Sequence, residues 1–273
     1  MADPTPLSWR FFEISGWRKG NSMANMEQVR WDARYREQMT RHRDPLPFLV
    51  ALDDILPRRG KAIDVAGRAG ANAVWLAHRG LEATVSDISP VGFRLATDAA
   101  GTVGVRLSTL EIDLEHEPFP AGPWELTLCV RFLWRPLFEV IPARLAPGGF
   151  LVVDHPTRSN LLRHERPGLL HLLDDGELPG LVRGLEVLSY SEGWTDEGYH
   201  ERADATAFLV TAAADLATNA VAAVAVGWLL HAAGNLLEKS ARCRGSWPGF
   251  ESEPSSLERL IPDHPLTGSR EPA

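Results

Sequence analysis

Apolar positions recur at two spacings along this chain. Between Met23 and Thr40, Met26, Val29 and Ala33 fall at helical spacing and Trp31 and Tyr35 stand one turn apart, predicting a helix that caps the downstream elements. Asp44-Pro-Leu-Pro47 breaks that helix, and Phe48 to Leu56 restarts an apolar one that Pro57 stops. From there short apolar runs alternate with helical stretches. Strands are predicted at Lys61 to Val65, Ala83 to Asp87, Val105 to Thr109, Leu126 to Val130 and Phe150 to Asp154. Helices are predicted at Asn72 to Arg79, from Pro90 to about Ala100, and at Leu137 to Leu145. Strands alternating with helices call for a parallel sheet covered on both faces, an α/β class. Leu216 to Leu237 carries no Asp, Glu, Lys or Arg. It is long enough to cross a bilayer, but its alanines, Thr218, Asn219, Gly227, His231, Gly234 and Asn235 favour a buried or oligomer-forming helix, with membrane contact left as the lesser reading. The Pro- and Gly-punctuated polar sequence beyond it reads as a loosely ordered tail. The organisation expected is an N-terminal extension and cap helix over 1–45, an α/β domain over 46–212, and an apolar helix and tail over 213–273.

Composition narrows the function. At 273 residues, 44% hydrophobic and 23% charged, the chain can bury a full domain core. A net charge of -8 disfavours nucleic acid as a partner. Cys129 and Cys243 form no C-x-x-C, so no disulfide framework or cysteine-rich metal site is expected, which suits a reducing cytoplasm. The segment Leu7 to Ile14 is broken by Arg10 and Glu13 and lacks the apolar run of a secretory signal. His78, His116 and His200 stand singly, without metal-ligand spacing.

In a parallel sheet ligands sit beyond the carboxyl ends of the strands, and those ends carry suggestive residues here. The first strand runs into Asp64-Val-Ala-Gly-Arg-Ala-Gly70, where glycines let a ligand approach the backbone. Asp87 closes the second strand, placed to accept hydrogen bonds from the hydroxyls of a ribose. Asp113-Leu114 follows the third, positioned to flank an adenine ring, and Ala146-Pro-Gly-Gly149 is predicted as a tight turn into the fifth. After the fifth strand, Thr157 to Arg166 gathers Arg158, Arg163, His164 and Arg166. That cluster reads either as a site for an anionic substrate, through Arg158 and His164, or as a solvated basic face balanced by Asp174, Asp175 and Glu177.

In this order and spacing, Asp64-Val-Ala-Gly-Arg-Ala-Gly70, Asp87, Asp113-Leu114 and Ala146-Pro-Gly-Gly149 resemble the class I S-adenosylmethionine-dependent methyltransferases. Trp31-Asp-Ala-Arg-Tyr35 and Glu192-Gly-Trp194 are similar, more narrowly, to the bacterial branch related to the tellurite-resistance methyltransferase. The resemblance spans about Trp31 to Glu201 and implies a Rossmann-like, doubly wound, mostly parallel seven-stranded sheet. It implies S-adenosyl-L-methionine as cofactor. Asp64, Gly67 and Gly70 would line its methionine and sulfonium part, Asp87 would hold the ribose, Ile88 and Leu114 would sandwich the adenine, and Asp113 would meet the exocyclic amine.

Two departures from the pattern matter. Ala66 and Arg68 stand where the family's loop has glycines. Arg68 brings a Cβ and a positive charge to a place where a sulfonium is expected, unless its side chain swings to solvent or pairs with Asp64 or Asp87. Arg202-Ala-Asp-Ala-Thr206 lengthens the connection before Phe208-Leu-Val210, so the last strand is expected to be shifted or lost. Methyl transfer needs orientation and water exclusion more than a nucleophilic side chain. With no base apparent and Val130-Arg-Phe-Leu133 in place of an amide-methylating motif, the acceptor expected is a small molecule, a thiol or metalloid oxyanion being the simplest. The other reading is a binding or assembly module impaired by Arg68. A homo-oligomer is left open. Tyr-x-x-x-Lys, Gly-Lys-Ser/Thr and Gly-x-Ser-x-Gly are absent, which removes short-chain oxidoreductases, P-loop nucleotidases and serine hydrolases.

Overall fold

The computed structural model describes residues 23–37, 44–195 and 204–214. Helices are α1 (Met23–Glu37), α2 (Pro47–Ala51), α3 (Ala71–His78), α4 (Pro90–Thr102), α5 (Leu137–Val140) and α6 (Leu178–Leu181). Strands are β1 (Lys61–Val65), β2 (Glu82–Asp87), β3 (Ser108–Glu111), β4 (Trp124–Val130), β5 (Leu145–Pro156), β6 (Glu186–Thr195) and β7 (Asp204–Ala212). They form one seven-stranded sheet in the order β3-β2-β1-β4-β5-β7-β6. The pairs from β3 through β5 are parallel, and β7 runs antiparallel between β5 and β6. The sheet is therefore α/β and mixed.

Both faces are buried, which is why the central strands read as unbroken apolar runs. One face packs Ile63, Val65, Cys129, Leu151 and Val153 with Phe138 and Ile141. The other packs Val85, Leu126, Leu128, Val152 and Val210 with Leu49, Leu52, Trp75 and Leu76. Ser89 caps α4 by accepting from the Gly92 amide, with Pro90 at its first turn, where a missing N–H costs nothing.

Four expectations are corrected. β7 is neither shifted out of the sheet nor lost: it pairs with β5 from Phe150↔Ala212 to Pro156↔Thr206 and with β6 along its length, and Asp204, Ala205 and Thr206 of the intervening segment are themselves strand residues. β5 starts at Leu145, so Ala146 to Gly149 is no turn. Leu145 already pairs with Trp124, Gly148 takes φ 72, and a Cβ on Gly149 would stand 2.7 Å from the Trp124 carbonyl oxygen, so the glycines build an irregularity inside the strand. β3 begins at Ser108 because the Val105 amide is used by Ala100 to close α4. The apolar segment after Pro47 is helical only to Ala51 and continues as hydrogen-bonded turns to Leu56. The predicted segment Leu216 to Leu237, the tail, the N-terminal extension before Met23 and His200 lie outside the described residues. Among the described residues no helix is long and apolar enough to cross a membrane.

Candidate functional site

Strand register brings the acids together. Asp64 pairs with Val85 across β1 and β2, and side chains alternate along a strand, so Asp64 and Asp87 emerge on one face at neighbouring carboxyl ends. The loop between β1 and α3 folds over that rim with Ala66 at φ 50, Arg68 at φ 57 and Gly70 at φ 73. The left-handed region costs a residue with a Cβ about 1 to 2 kcal/mol, so Ala66 and Arg68 are held there by their surroundings. The Gly67 amide donates to the Ser86 carbonyl (2.9 Å), the Gly70 amide to the Gly67 carbonyl (2.8 Å) and the Arg68 amide to Asp87 Oδ2 (3.0 Å). Close approach explains the remaining glycines. A Cβ on Gly67 would lie 2.9 Å from the Asp64 carboxyl, and one on Gly70 2.5 Å from Ala96 Cβ on α4.

The two acids are treated differently. Asp87 accepts from the Arg68 amide, from the Ser89 amide (2.9 Å) and from the Tyr35 hydroxyl (3.2 Å). Burial raises its pKa, and these donors pull the other way. Asp64 is 1% exposed, and neither carboxyl oxygen finds a partner of normal hydrogen-bond geometry among the described residues. Burial pushes it up to about 7, opposed by the charge of Arg68 and the Ala73 amide. The charge of Arg68 also acts on Asp154 and His155.

The other proposed residues spread outward from there. Ile88 follows Asp87 and is half-buried. The Ile112 amide donates to the Asp87 carbonyl (3.0 Å), which holds Asp113 beside the second strand. Asp113 closes its own turn, accepting from the Glu115 amide (3.1 Å) and meeting His116 Nδ1 (2.9 Å). Leu114 is buried in the core cluster with Ile63 and Val65. Arg158 is half-exposed and pairs with Asp174, and His164 Nε2 stands 3.8 Å from Asp204 Oδ1 with its ring 6.1 Å from that of Trp194. The structure thus gathers Asp64, Gly67, Gly70 and Asp87 in one place, with Asp113 adjacent, while Arg158 stands apart from His164. Cys129 is buried and its thiol is pushed up to about 12, the behaviour of an inert core residue.

Sequence reasoning passed over a second cluster on the same rim. Val130 pairs with Asp154 and Leu128 with both Asp64 and Val152, so Asp154 shares the face of Asp64. Asp154 pairs with Phe208, and four residues earlier on β7 the same face carries Asp204. Arg131, bent to φ 56 after β4, joins them: its Nε lies 3.3 Å from Asp154 Oδ2 and its Nη1 3.1 Å from Asp204 Oδ2. Both acids are buried and Arg131 is largely so. Asp154 was visible as the end of a predicted strand. Arg131 and Asp204 gave no signal, because their partners come from elements far apart in the chain.

No family model and no curated protein matches the chain by sequence. Solved structures do match. A protein of echinomycin biosynthesis, associated with conversion of a disulfide bond into a thioacetal group, is 19% identical at a TM-score of 0.54, over 74% of this chain and 98% of that one. TehB from Haemophilus influenzae gives 12% and 0.54 over 67% of each chain. The magnesium protoporphyrin IX methyltransferase of Synechocystis PCC 6803, solved with bound S-adenosylhomocysteine, gives 12% and 0.53 over 71% of this chain and all of that one (100%).

The fold is that of the class I S-adenosylmethionine-dependent methyltransferases.

In this methyltransferase fold the loop after β1 and the ends of β2 and β3 form one half of the rim, and the ends of β4, β5 and β7 the other. The first half fits S-adenosylmethionine on one observation. Asp64 is a buried carboxylate whose oxygens find no well-formed hydrogen bond among the described residues, beside a glycine with no room for a side chain, and a cationic methionyl group would satisfy it.

Proposed function

We propose that this chain transfers the methyl group of S-adenosyl-L-methionine to a small-molecule acceptor. The observation that supports it most is the pair formed by Asp64 and Asp87, one acid without a well-formed hydrogen bond among the described residues and the other held by two backbone amides and a tyrosine hydroxyl. In this reading Asp64, Gly67 and Gly70 line the methionyl part of the cofactor, and Asp87 keeps lone-pair capacity for the ribose hydroxyls. Ile88 and Leu114 flank the adenine, with Asp113 toward its amine. The cofactor supplies an electrophilic methyl carbon. The chain's own residues orient the acceptor and keep water out, and a thiol or metalloid oxyanion asks for little more.

A second reading rests on Arg68. Its strained backbone and its charge beside Asp64 fit a domain of the same fold that binds or assembles without turnover. Calorimetric titration with S-adenosylhomocysteine separates the two. Micromolar binding that Asp87→Ala weakens at least about 100-fold, the loss of two hydrogen bonds to a charged group, is the expected result. Absence of binding, restored by Arg68→Gly, would establish the impaired domain instead.

A further inference from the structure

The second half of the rim holds a group that methyl transfer to a soft nucleophile leaves idle. Asp154 is 1% exposed, and Arg131 engages only its Oδ2. Its Oδ1 is buried and has no hydrogen-bond partner among the described residues. The register that puts Asp154 on the face of Asp64 directs it over the same rim, and the charge of Arg68 reaches both carboxylates. Along this face Asp87, Asp64, Asp154 and Asp204 stand with Arg68 and Arg131, and the free Oδ1 of Asp154 is an acceptor that an N–H donor can engage. His155 is no rival for the same task. It points to the opposite face, its Nε2 hydrogen donates to the His171 carbonyl oxygen (3.0 Å), and burial holds its pKa at about 3.

We propose that Asp154 Oδ1 is the proton acceptor for an amine substrate, which arrives as its ammonium form at the β4–β5–β7 end of the rim, while Arg131 and Asp204 keep the carboxylate in place. The proposal rests on the methyl-transfer reading. The ammonium gives one N–H proton to Asp154, and the freed lone pair forms a bond to the methyl carbon. The carbon–sulfur bond breaks with its electron pair staying on sulfur, which becomes a neutral thioether. The product leaves as a methylated ammonium. Arg131 and Asp204 touch neither reacting atom and act by positioning; burial raises the Asp154 pKa, and the Arg131 guanidinium opposes that rise.

The test uses the full chain with labelled S-adenosylmethionine and four probes at neutral pH: tyramine, aniline, thiophenol and tellurite. Tyramine enters as a cation and must lose a proton, whereas aniline is already neutral. Transfer to the amines is expected. Asp154→Asn should lower kcat/KM for tyramine at least about 100-fold, spare aniline to within about tenfold, and leave S-adenosylhomocysteine affinity unchanged. A purely structural role would lower both amines alike, and that result overturns the proposal. If the variant does not fold, the ranking of probes by the unaltered chain decides. Transfer only to thiophenol or tellurite, or to none of the probes while S-adenosylhomocysteine binds, overturns this inference alone. Absence of S-adenosylhomocysteine binding to the unaltered chain overturns the methyl-transfer reading with it.

Discussion

The two halves of the rim hold their carboxylates by different means. On the β1–β2 side, Asp87 is fixed by the amides of Arg68 and Ser89 together with the Tyr35 hydroxyl. On the β4–β5–β7 side, Asp154 and Asp204 are fixed by one guanidinium reaching across strands. Backbone donors come with the turn that presents them, so their loss requires the turn itself to change. A side-chain bridge depends on one residue, and removing it takes the shared guanidinium from two buried acids. The first arrangement is robust and the second is brittle.

The largest effect should come from breaking the brittle side. Arg131→Met removes the guanidinium shared by the buried Asp154 and Asp204, and a loss on the order of 3 to 5 kcal/mol is expected in urea unfolding. A stability change of less than about 1 kcal/mol would show that the Arg131 bridge contributes no more than an exposed ion pair.

The next effect sharpens the contrast within the first half. Asp64 is the less well satisfied acid there, and its folded pKa lies at about 7 instead of 3.8. A folded state that keeps a proton longer than the unfolded state gains stability on acidification. This contribution is full below about pH 4 and is lost as the pH rises to about 7. At roughly 1.4 kcal/mol per pH unit the interval corresponds to on the order of 4 kcal/mol as an upper bound. Asp64→Asn, neutral throughout, should therefore raise the melting temperature at pH 8 and leave it unchanged near pH 4. An equal shift at both values would disprove the assignment.

The smallest effect concerns the loop. Arg68→Gly relieves a left-handed residue, and a gain of about 1 kcal/mol in unfolding free energy is expected, together with tighter S-adenosylhomocysteine binding. Destabilisation would mean that contacts of the Arg68 side chain outweigh the strain of its backbone.

The same division explains what could be read from the sequence. Strands β1, β2 and β4 stand within a residue or two of their apolar runs, and Asp64, Gly67, Gly70 and Asp87 declare themselves because strand–loop–helix spacing alone sets where they go. Trp124↔Leu145 pairing, which turns Ala146 to Gly149 from a turn into strand, depends on a partner outside any local window. Arg131 and Asp204 are likewise 73 positions apart, and composition and period say nothing about such a pair. What the backbone builds is legible locally, and what side chains build between distant strands is not.

Helix α1 contributes more to this arrangement than a cap. Within a single turn it offers the Tyr35 hydroxyl to Asp87 and the Asp32 carboxylate to the Ser89 hydroxyl, the residue that starts α4. A boundary drawn by composition near residue 45 separates that helix from the sheet, whereas the hydrogen bonds join them. A chain shortened to begin at Asp44 would keep every strand and both apolar layers, yet Asp87 would lose its one side-chain donor. The length that completes the sheet and the length that completes the hydrogen bonds of Asp87 are then different spans of the same polypeptide.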